Sequence, residues 1–156
     1  MAKRNIRVDD DPILRKVSRR VDNFDNRLFQ LLDDMKDTLD AAGGIGLAAV
    51  QVGVLRRVVI IDLDGKFMEL INPEIIEENG TQSENEGCLS LPHKAGKTIR
   101  PMNVKVRAQN RDGKWCLYAG SELLARCFCH ELDHLDGKLY TDRLAPGEKV
   151  YFTEDE

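Results

Sequence analysis

The sequence predicts an α+β domain in which two amphipathic helices accompany short, mostly antiparallel strands. Apolar residues recur at helical spacing over 21–44 and 121–136. The remaining apolar runs are alternating or β-branched, and Asp-Gly and Asn-Gly turns separate them. The second helix carries an HExxH motif after a largely apolar stretch, so we expect the sheets to pack around a buried, metal-binding helix.

The first helix is predicted within VDNFDNRLFQLLDDMKDTLDAAGG. Its apolar side chains share one face, and they are Phe24, Leu28, Leu31, Leu32, Met35 and Leu39. Asp22 or Asn23 is expected to cap its start, and Gly43 and Gly44 are expected to end it. Gly137 is expected to end the second helix in the same way.

Strands are predicted at RRVVIIDL, KFMELIN, PEIIEENG, NVKVRAQ and KWCLYA. The first run is continuous and β-branched, which favours a buried strand, and Asp64-Gly65 is expected to turn it into the second. We expect a single domain over 1–156, which suits the chain length. Residues 146–156 are expected to form a mobile tail, because the end of the chain is short, polar and acidic.

Composition excludes several classes of protein. The formal net charge of -4 gives no basic field for nucleic acid, so no specific DNA partner is expected. No apolar run approaches the length of a membrane span, and the start MAKRNIRVDDD lacks the apolar stretch of a secretory signal. We therefore expect a cytosolic protein in which the 4 cysteines are thiols or metal ligands.

The stretch FCHELDHLDG, residues 128–137, indicates a metal site. Four residues along a helix return a side chain to within about 40° of its starting direction, so His130 and His134 can reach one ion. Glu131 lies beside that face, where it can act as a base on water without being a ligand. The alternative is a solvated helix end, but the apolar stretch ELLARCFC before it favours a buried site.

A catalytic metal of this kind needs a third protein ligand and an open position. Cys88 is favoured because it lies in the turn-forming stretch NEGCLSLP. Cys127 shares the helix face with the histidines, but three ligands from one straight helix surround an ion poorly. Cys129 is expected to point away from the pair, and Cys116 is expected in the core of a strand.

The glycine-rich stretch AAGGIGLAAVQVG follows the first helix. A flexible connector is one interpretation, and a phosphate loop is disfavoured because no Lys-Ser or Lys-Thr follows. Gln51 is a polar side chain in apolar surroundings, so its amide needs a partner if it is buried. An amide donor beside a metal is a candidate for stabilising an oxyanion.

Three separated stretches, GIGLAAVQ, EGCLS and HELDH, resemble the signature motifs of the peptide deformylases in the same order. The stretches DDPILRKVSRRV and GKLYTDRL extend the resemblance over nearly the whole chain. The resemblance implies a metal-dependent hydrolase that removes the formyl group from the N-terminal formyl-methionine of new bacterial polypeptides and releases formate. Its partners would be formyl-methionyl peptides and nascent chains, with the ribosome surface as a further candidate, and we expect a monomer in the bacterial cytosol.

The resemblance also implies roles for individual residues. One divalent metal would be held by Cys88, His130 and His134. Fe(II) is the expected ion, and Zn, Ni or Co can occupy such a site. Glu131 would be the general base and then the acid, while Gln51 and the backbone N–H of Leu89 would hold the developing oxyanion.

The resemblance places the substrate beside the metal as an added strand. The backbone segments expected to hold it are Gly44, Ile45 and Gly46 with Glu86 and Gly87. Leu123 and Cys127, one helical turn apart, are expected to line the pocket for the methionine side chain.

Arg126 and Glu84 fall near this pocket, and we expect them to pair at its rim with the arginine stem over apolar surface. His93 is expected at the surface without a role, and Asp136 as a solvated helix charge. Asp133 has two open interpretations, a partner behind the metal ligands or a solvated charge.

Two other functions stay open from the residues alone. A metalloprotease would use the same HExxH mechanics, but its usual downstream Glu or His ligand has no histidine candidate after residue 134. A structural zinc domain would need a closed site with a fourth ligand, for which Cys127 or Cys129 is available. A structural zinc site would give Glu131 and Gln51 no role.

Overall fold

The structure is a computed structural model, and it describes residues 2–153. Its α-helices are α1 (Asn26–Ala42) and α2 (Glu122–Leu135). Its strands are β1 (Gly46–Ala48), β2 (Val58–Leu63), β3 (Lys66–Asn79), β4 (Gln82–Cys88), β5 (Leu91–Arg100), β6 (Asn103–Gln109), β7 (Trp115–Ser121) and β8 (Tyr151–Phe152). Short 3-10 helices lie at Pro12–Arg15, Ala49–Val52 and Tyr140–Arg143.

The strands form two antiparallel sheets, which confirms the predicted α+β class. One sheet has the order β1-β2-β3-β6-β7, and the other has the order β4-β5-β8. Both β1 and β4 are therefore edge strands, which leaves one side of each without a partner strand among residues 2–153.

The two helices cover opposite faces of the larger sheet. Val59 and Ile61 of β2 pack in a cluster with α2, whereas Val58 and Ile60 pack with α1. Because successive strand side chains point to opposite faces, a strand buried on both faces needs a continuous apolar run. This explains why RRVVIIDL is correctly predicted as a buried strand.

The ends of the helices differ slightly from the prediction. Asp25 caps α1, accepting a hydrogen bond from the backbone N–H of Leu28 at 3.2 Å, so the prediction of Asp22 or Asn23 was wrong. Gly43 ends α1 with a φ of 71°, and Gly137 follows α2 with a φ of 74°, as expected.

One prediction about strands was wrong, and another was right only in part. KFMELIN and PEIIEENG are one bent strand, β3, with register shifts between Ile71 and Glu74 and between Ile75 and Glu77. Pro73 lies at the first shift, where its missing N–H costs no ladder hydrogen bond. The stretch NEGCLSLP was predicted as turn-forming, and a turn at Leu89 and Ser90 does lie within it, but β4 continues to Cys88 and β5 begins at Leu91, so the turn is shorter than expected.

Part of the predicted tail has regular structure, because Tyr151 and Phe152 pair with β5. Residues 154–156 of that segment lie outside the described residues. The mobility of 146–156 and the single domain over 1–156 stay predictions. Among residues 2–153, no helix combines the length and the hydropathy that crossing a bilayer requires.

Asp34 ties the N-terminal segment to α1. Its carboxylate accepts hydrogen bonds from the backbone N–H of Ala2 at 2.9 Å, from Arg4 Nε at 2.9 Å and from Gln30 Nε2 at 2.7 Å. Burial raises the pKa of Asp34, but these hydrogen bonds outweigh burial and leave the pKa lowered.

We expect Asp34→Ala to lower the free energy of unfolding by about 2 kcal/mol at neutral pH, because hydrogen bonds to a buried, charged carboxylate are lost. A lowered folded-state pKa stabilises the protein above the unfolded pKa of about 3.9, and the effect is lost as pH falls further. The difference between variant and wild type should therefore shrink below about pH 4 in urea titrations. Asp40→Ala, at an exposed pair with Lys36, is the control and should change stability by less than about 0.5 kcal/mol.

Candidate metal centre

Two elements bring three metal-ligating side chains together. Cys88 ends β4, and His130 and His134 lie one turn apart on α2. Their ligand atoms all lie within 4.8 Å of one another, and Cys88 Sγ is 3.4 Å from His134 Nε2. The fold therefore brings Cys88 next to a histidine that lies 46 positions later in the sequence.

The donor set suits a divalent transition metal. A thiolate and two imidazoles are ligands that zinc, iron, cobalt and nickel accept. His130 Nδ1 lies 2.9 Å from Glu86 Oε1, which leaves Nε2 as the ring nitrogen available to an ion. The residues present therefore fit a metal with three protein ligands.

Glu86 is the carboxylate that orients His130, although the sequence indicated only its backbone as functional. Burial raises the pKa of Glu86, but hydrogen bonds from His130 and Arg100 outweigh burial and lower the pKa to about 2. Glu86 is therefore ionised at neutral pH, so His130 Nδ1 carries the proton and donates it.

Arg100 supports this arrangement from behind, at 3% exposure of its side chain. Its Nε donates to Glu86 Oε2 at 2.9 Å, and a second guanidinium nitrogen donates to Oε1 at 3.0 Å. The third donates to Asp133 Oδ2 at 2.7 Å, and Asp133 also accepts from Arg143 at 3.0 Å. Asp133 is thus part of the network behind the histidine, which decides between its two interpretations.

Glu131 is a buried carboxylate next to the cluster, 5% exposed, with no hydrogen-bond partner for Oε1 among residues 2–153. Burial raises its pKa to about 7. A Cβ at position 46 would lie 2.7 Å from Glu131 Oε2 and 3.0 Å from Cys127 Sγ, so only glycine leaves room for the carboxylate. A carboxyl that gains and loses a proton near neutral pH is suited to acid–base chemistry.

Gln51 is also buried, and its neighbours fix the orientation of its amide. Its Oε1 accepts a hydrogen bond from the backbone N–H of Ala48 at 2.9 Å, so its Nε2 faces the other way. Nε2 donates to Ser90 Oγ at 3.1 Å and lies 3.6 Å from Cys88 Sγ. The amide therefore presents N–H donors to the metal cluster, and Ser90 is a partner that the sequence did not reveal.

A groove of about 540 Å³ opens onto this cluster between β1, β4 and α2. It is lined by the predicted site residues Gly44, Ile45, Gly46, Gln51, Glu86, Gly87, Cys88, Leu89, Leu123, Cys127, His130 and Glu131. His134 is not in the lining and meets the cluster from within the core, at 1% exposure. The structure thus brings every predicted site residue to one place.

The other thiols lie outside the ligand cluster of the described residues. Burial and the nearby Glu131 raise the pKa of Cys127 well above the usual value, which favours the neutral thiol. Burial likewise raises the pKa of Cys129 to about 11. Cys116 was predicted in the core, but it is only half-buried, because β7 is an edge strand.

Two predictions about the groove rim need correction. No ion pair joins Arg126 to Glu84 among residues 2–153, although a pair was predicted. His93 lies at the surface as expected, but it also lines the groove and has a φ of 64°, so it does not stand apart from the site. No motif in the sequence marked it, because its position depends on how β5 begins.

Asp136 is 53% exposed, largely as expected, and pairs with Arg57 at 3.0 Å.

A thiolate, two imidazoles and a buried acid–base carboxyl on one open groove define a metal-dependent hydrolase. The polypeptide deformylase family model matches residues 3–150. The peptide deformylase of Alkaliphilus metalliredigens is 57% identical over 92% of this chain and 98% of its own, and that of Acetivibrio thermocellus is 58% identical over 92% and 85%. The chain belongs to the polypeptide deformylase family.

Solved structures agree with this membership. The crystal structure of the peptide deformylase from Thermotoga maritima has a TM-score of 0.90 at 39% identity, covering 92% of this chain and 99% of its own. The Synechococcus elongatus enzyme in complex with actinonin has a TM-score of 0.88 at 37% identity, covering 92% and 79%. Members of this metal-dependent family are hydrolases that remove the N-formyl group from the formyl-methionine of new polypeptides, and this is the function of the chain. The metalloprotease and structural zinc interpretations are therefore wrong.

Proposed function

We propose that this chain deformylates peptides at a single divalent metal held by Cys88, His130 and His134, with Fe(II) as the ion in the cell. The observation that carries the proposal is the convergence of the three ligand atoms within 4.8 Å at the base of an open groove. The donor set alone admits several metals, so the preference for iron rests on the family resemblance.

When bound, the metal acts as a Lewis acid that makes water a nucleophile near neutral pH. Glu131 accepts the proton of the attacking water, which its pKa of about 7 supports. Gln51 Nε2 and the backbone N–H of Leu89 donate to the formyl oxygen as negative charge develops there. Glu131 then passes its proton to the amine nitrogen, the C–N bond breaks, and formate and the free N-terminus leave.

The peptide would bind as an extra strand between β1 and β4. Both are edge strands, and both line the groove. The backbone N–H of Asp62 in β2 donates a hydrogen bond to the carbonyl oxygen of Ile45 at 2.8 Å. Successive residues of a strand point their backbone groups to opposite sides. Gly44 and Gly46 therefore direct their backbone groups toward the groove, and Glu86 and Gly87 lie across it.

The methionine side chain would enter beside Leu123 and Cys127, which lie one helical turn apart on α2. Leu123 is 40% exposed and lines the groove, so an incoming apolar side chain can cover it. The neutral thiol of Cys127 supplies a small apolar surface nearby.

The substrates would be formyl-methionyl peptides and nascent chains, met in a bacterial cytosol. We propose that the chain acts as a monomer. The ribosome surface is a further candidate partner, since nascent chains emerge there.

The direct test is to incubate metal-loaded protein with formyl-Met-Ala-Ser and to quantify formate. We expect formate and free peptide in equal amounts, and no reaction with acetyl-Met-Ala-Ser, because the larger acyl group does not fit. Absence of formate with every metal would refute the proposed function.

We expect the iron-loaded enzyme to lose activity in air, because Fe(II) and the Cys88 thiolate can both be oxidised. Nickel or cobalt forms should retain their activity, and the zinc form should be stable but slower. The measurement is the deformylation rate against time for each reconstituted form, with and without oxygen scavenging. A fastest zinc form, or an iron form indifferent to oxygen, would contradict the assignment of iron and leave the ligands unaffected.

We expect Gly46→Ala to reduce kcat by about tenfold to a hundredfold, because the added methyl group displaces the Glu131 carboxylate. The metal content should not change, because the atoms nearest to the added methyl group belong to Glu131 and Cys127, which are not ligands. Steady-state kinetics with metal analysis of the same sample checks both outcomes. Normal kcat in this variant would show that the position of Glu131 does not limit the reaction.

A further inference from the structure

The two proposed oxyanion donors lie on separate segments of the chain. Gln51 is in the short 3-10 helix Ala49–Val52, and Leu89 is in the turn between β4 and β5. Donors stabilise a developing oxyanion best when they are fixed in place before the reaction. The contacts that join these two segments therefore decide how well the donors are aimed.

Ser90 is the side chain that joins the two segments. It follows Leu89 directly in the chain, is 0% exposed and does not line the groove. Its Oγ accepts a hydrogen bond from Gln51 Nε2 at 3.1 Å, while the backbone N–H of Ala48 donates to Oε1 of the same amide at 2.9 Å. The second Nε2–H is directed toward Cys88, whose Sγ lies 3.6 Å away. The amide is thus held at both ends, with one N–H turned toward the metal cluster.

The backbones of the two segments are held by bonds that do not involve the Ser90 hydroxyl. The backbone N–H of Arg7 donates to the carbonyl oxygen of Gln51 at 2.7 Å, and that of Asp9 donates to the carbonyl oxygen of Ser90 at 2.7 Å. The N-terminal segment 7–9 therefore spans both donor segments. Because these bonds join backbone atoms, removing the hydroxyl should leave the backbone N–H of Leu89 in place. Ser90→Ala is then a specific change to the Gln51 amide.

We infer that Ser90 is a positioning residue for deformylation, which acts through Gln51 and does not itself touch the substrate. The inference rests on the proposed function, in which Gln51 Nε2 donates to the formyl oxygen. Without the hydroxyl, one Nε2–H would be buried without its acceptor, which favours rotation of the amide. A rotated donor is no longer aimed at the formyl oxygen when negative charge develops there.

The first test measures Ser90→Ala in nickel-loaded protein with formyl-Met-Ala-Ser. We expect kcat to fall about fivefold to thirtyfold, less than the hundredfold to thousandfold loss that follows removal of an oxyanion donor. KM should stay within about twofold of the wild type, because the charge that Gln51 stabilises is present only in the transition state. The metal content should not change. Ser90→Thr keeps the hydroxyl and should retain at least about half of the wild-type kcat.

A double variant separates positioning through Gln51 from a general structural role. Gln51→Ala should lose about a hundredfold to a thousandfold in kcat. Adding Ser90→Ala should cost less than about twofold more, because the hydroxyl then has no amide to hold. A structural role would make the two losses multiply. A second readout is independent of turnover: in zinc-loaded protein, Ser90→Ala should speed hydrogen exchange of the Gln51 side-chain amide about tenfold, measured by NMR.

Thr38→Val is the matched control, because it also removes a buried hydroxyl. Thr38 lies on α1 away from the groove lining, and its Oγ1 accepts from the backbone N–H of Arg4 at 2.8 Å. This variant should keep the wild-type kcat and the wild-type exchange of the Gln51 amide, even if its stability falls.

Wild-type kcat in Ser90→Ala, a loss that appears in KM instead of kcat, or multiplying losses in the double variant would overturn the positioning role. Failure of the proposed function would look different, because the wild type would then release no formate with any metal. The exchange of the Gln51 amide would still respond to Ser90→Ala in that case.

Discussion

Cys88→Ala should lose both its metal and its deformylase activity, because the variant keeps only two imidazoles from one helix as ligands. Two ligands from adjacent turns leave the ion open on the side where Cys88 Sγ now lies 3.4 Å from His134 Nε2. We expect less than one equivalent of metal after desalting, measured by elemental analysis, and formate release at background.

The matched controls are other cysteines of the same chain. Cys116→Ala, at a half-buried thiol on β7, should retain metal and activity. Cys127→Ala should retain the metal, because its thiol lies outside the ligand cluster. A Cys88 variant with one equivalent of metal and normal turnover would show that the third ligand is elsewhere.

Glu131→Gln should separate binding from chemistry. Glutamine has nearly the same shape but cannot take up the proton, so we expect a loss of kcat of about a hundredfold to ten-thousandfold. The metal content should stay at the wild-type level, because Glu131 is not one of the three ligands. The same measurements on Glu77→Gln, at an exposed pair with Lys105, provide the control and should match the wild type. Near-normal kcat in Glu131→Gln would remove Glu131 as the base.

The metal ligands could be predicted from the sequence because helical spacing and motif order are local signals. His130 and His134 return to one face by helix geometry alone. The choice of Cys88 over Cys127 depended on how poorly one helix surrounds an ion, and the structure brings Cys88 to the pair as expected. Gln51 could be singled out since it is the polar side chain in an apolar stretch, and it is indeed buried with its amide paired.

The residues that support the metal ligands from behind could not be predicted, because their contacts depend on how separate strands and α2 come together. Arg100 reaches Glu86 only because β4 and β5 pair as neighbouring strands, and it reaches Asp133 only because α2 packs behind them. A lone arginine before Pro101 carries no periodic signal of this role. His93 was missed for the same reason, since its place in the groove lining follows from the turn between β4 and β5.

The prediction of secondary structure failed where segments rich in polar residues form strands. The stretches around Cys88 and after Pro92 contain many charged residues and glycines, which favour a turn by composition. Pairing between β4 and β5 nevertheless makes them strands, and both line the groove. The β3 strand was divided in two since Pro73 indicates a break, whereas the structure absorbs it at a register shift.

X-ray absorption on the zinc-loaded protein measures whether one thiolate and two imidazoles hold the metal. We expect one sulfur scatterer at about 2.3 Å and two imidazole nitrogens at about 2.0–2.1 Å. The remaining position should hold a light oxygen scatterer. Any zinc that Cys88→Ala still binds should show no sulfur scatterer, whereas Cys127→Ala and Cys129→Ala should keep the zinc and its single sulfur. Two sulfurs, or a sulfur signal that survives the loss of Cys88, would contradict this set of ligands.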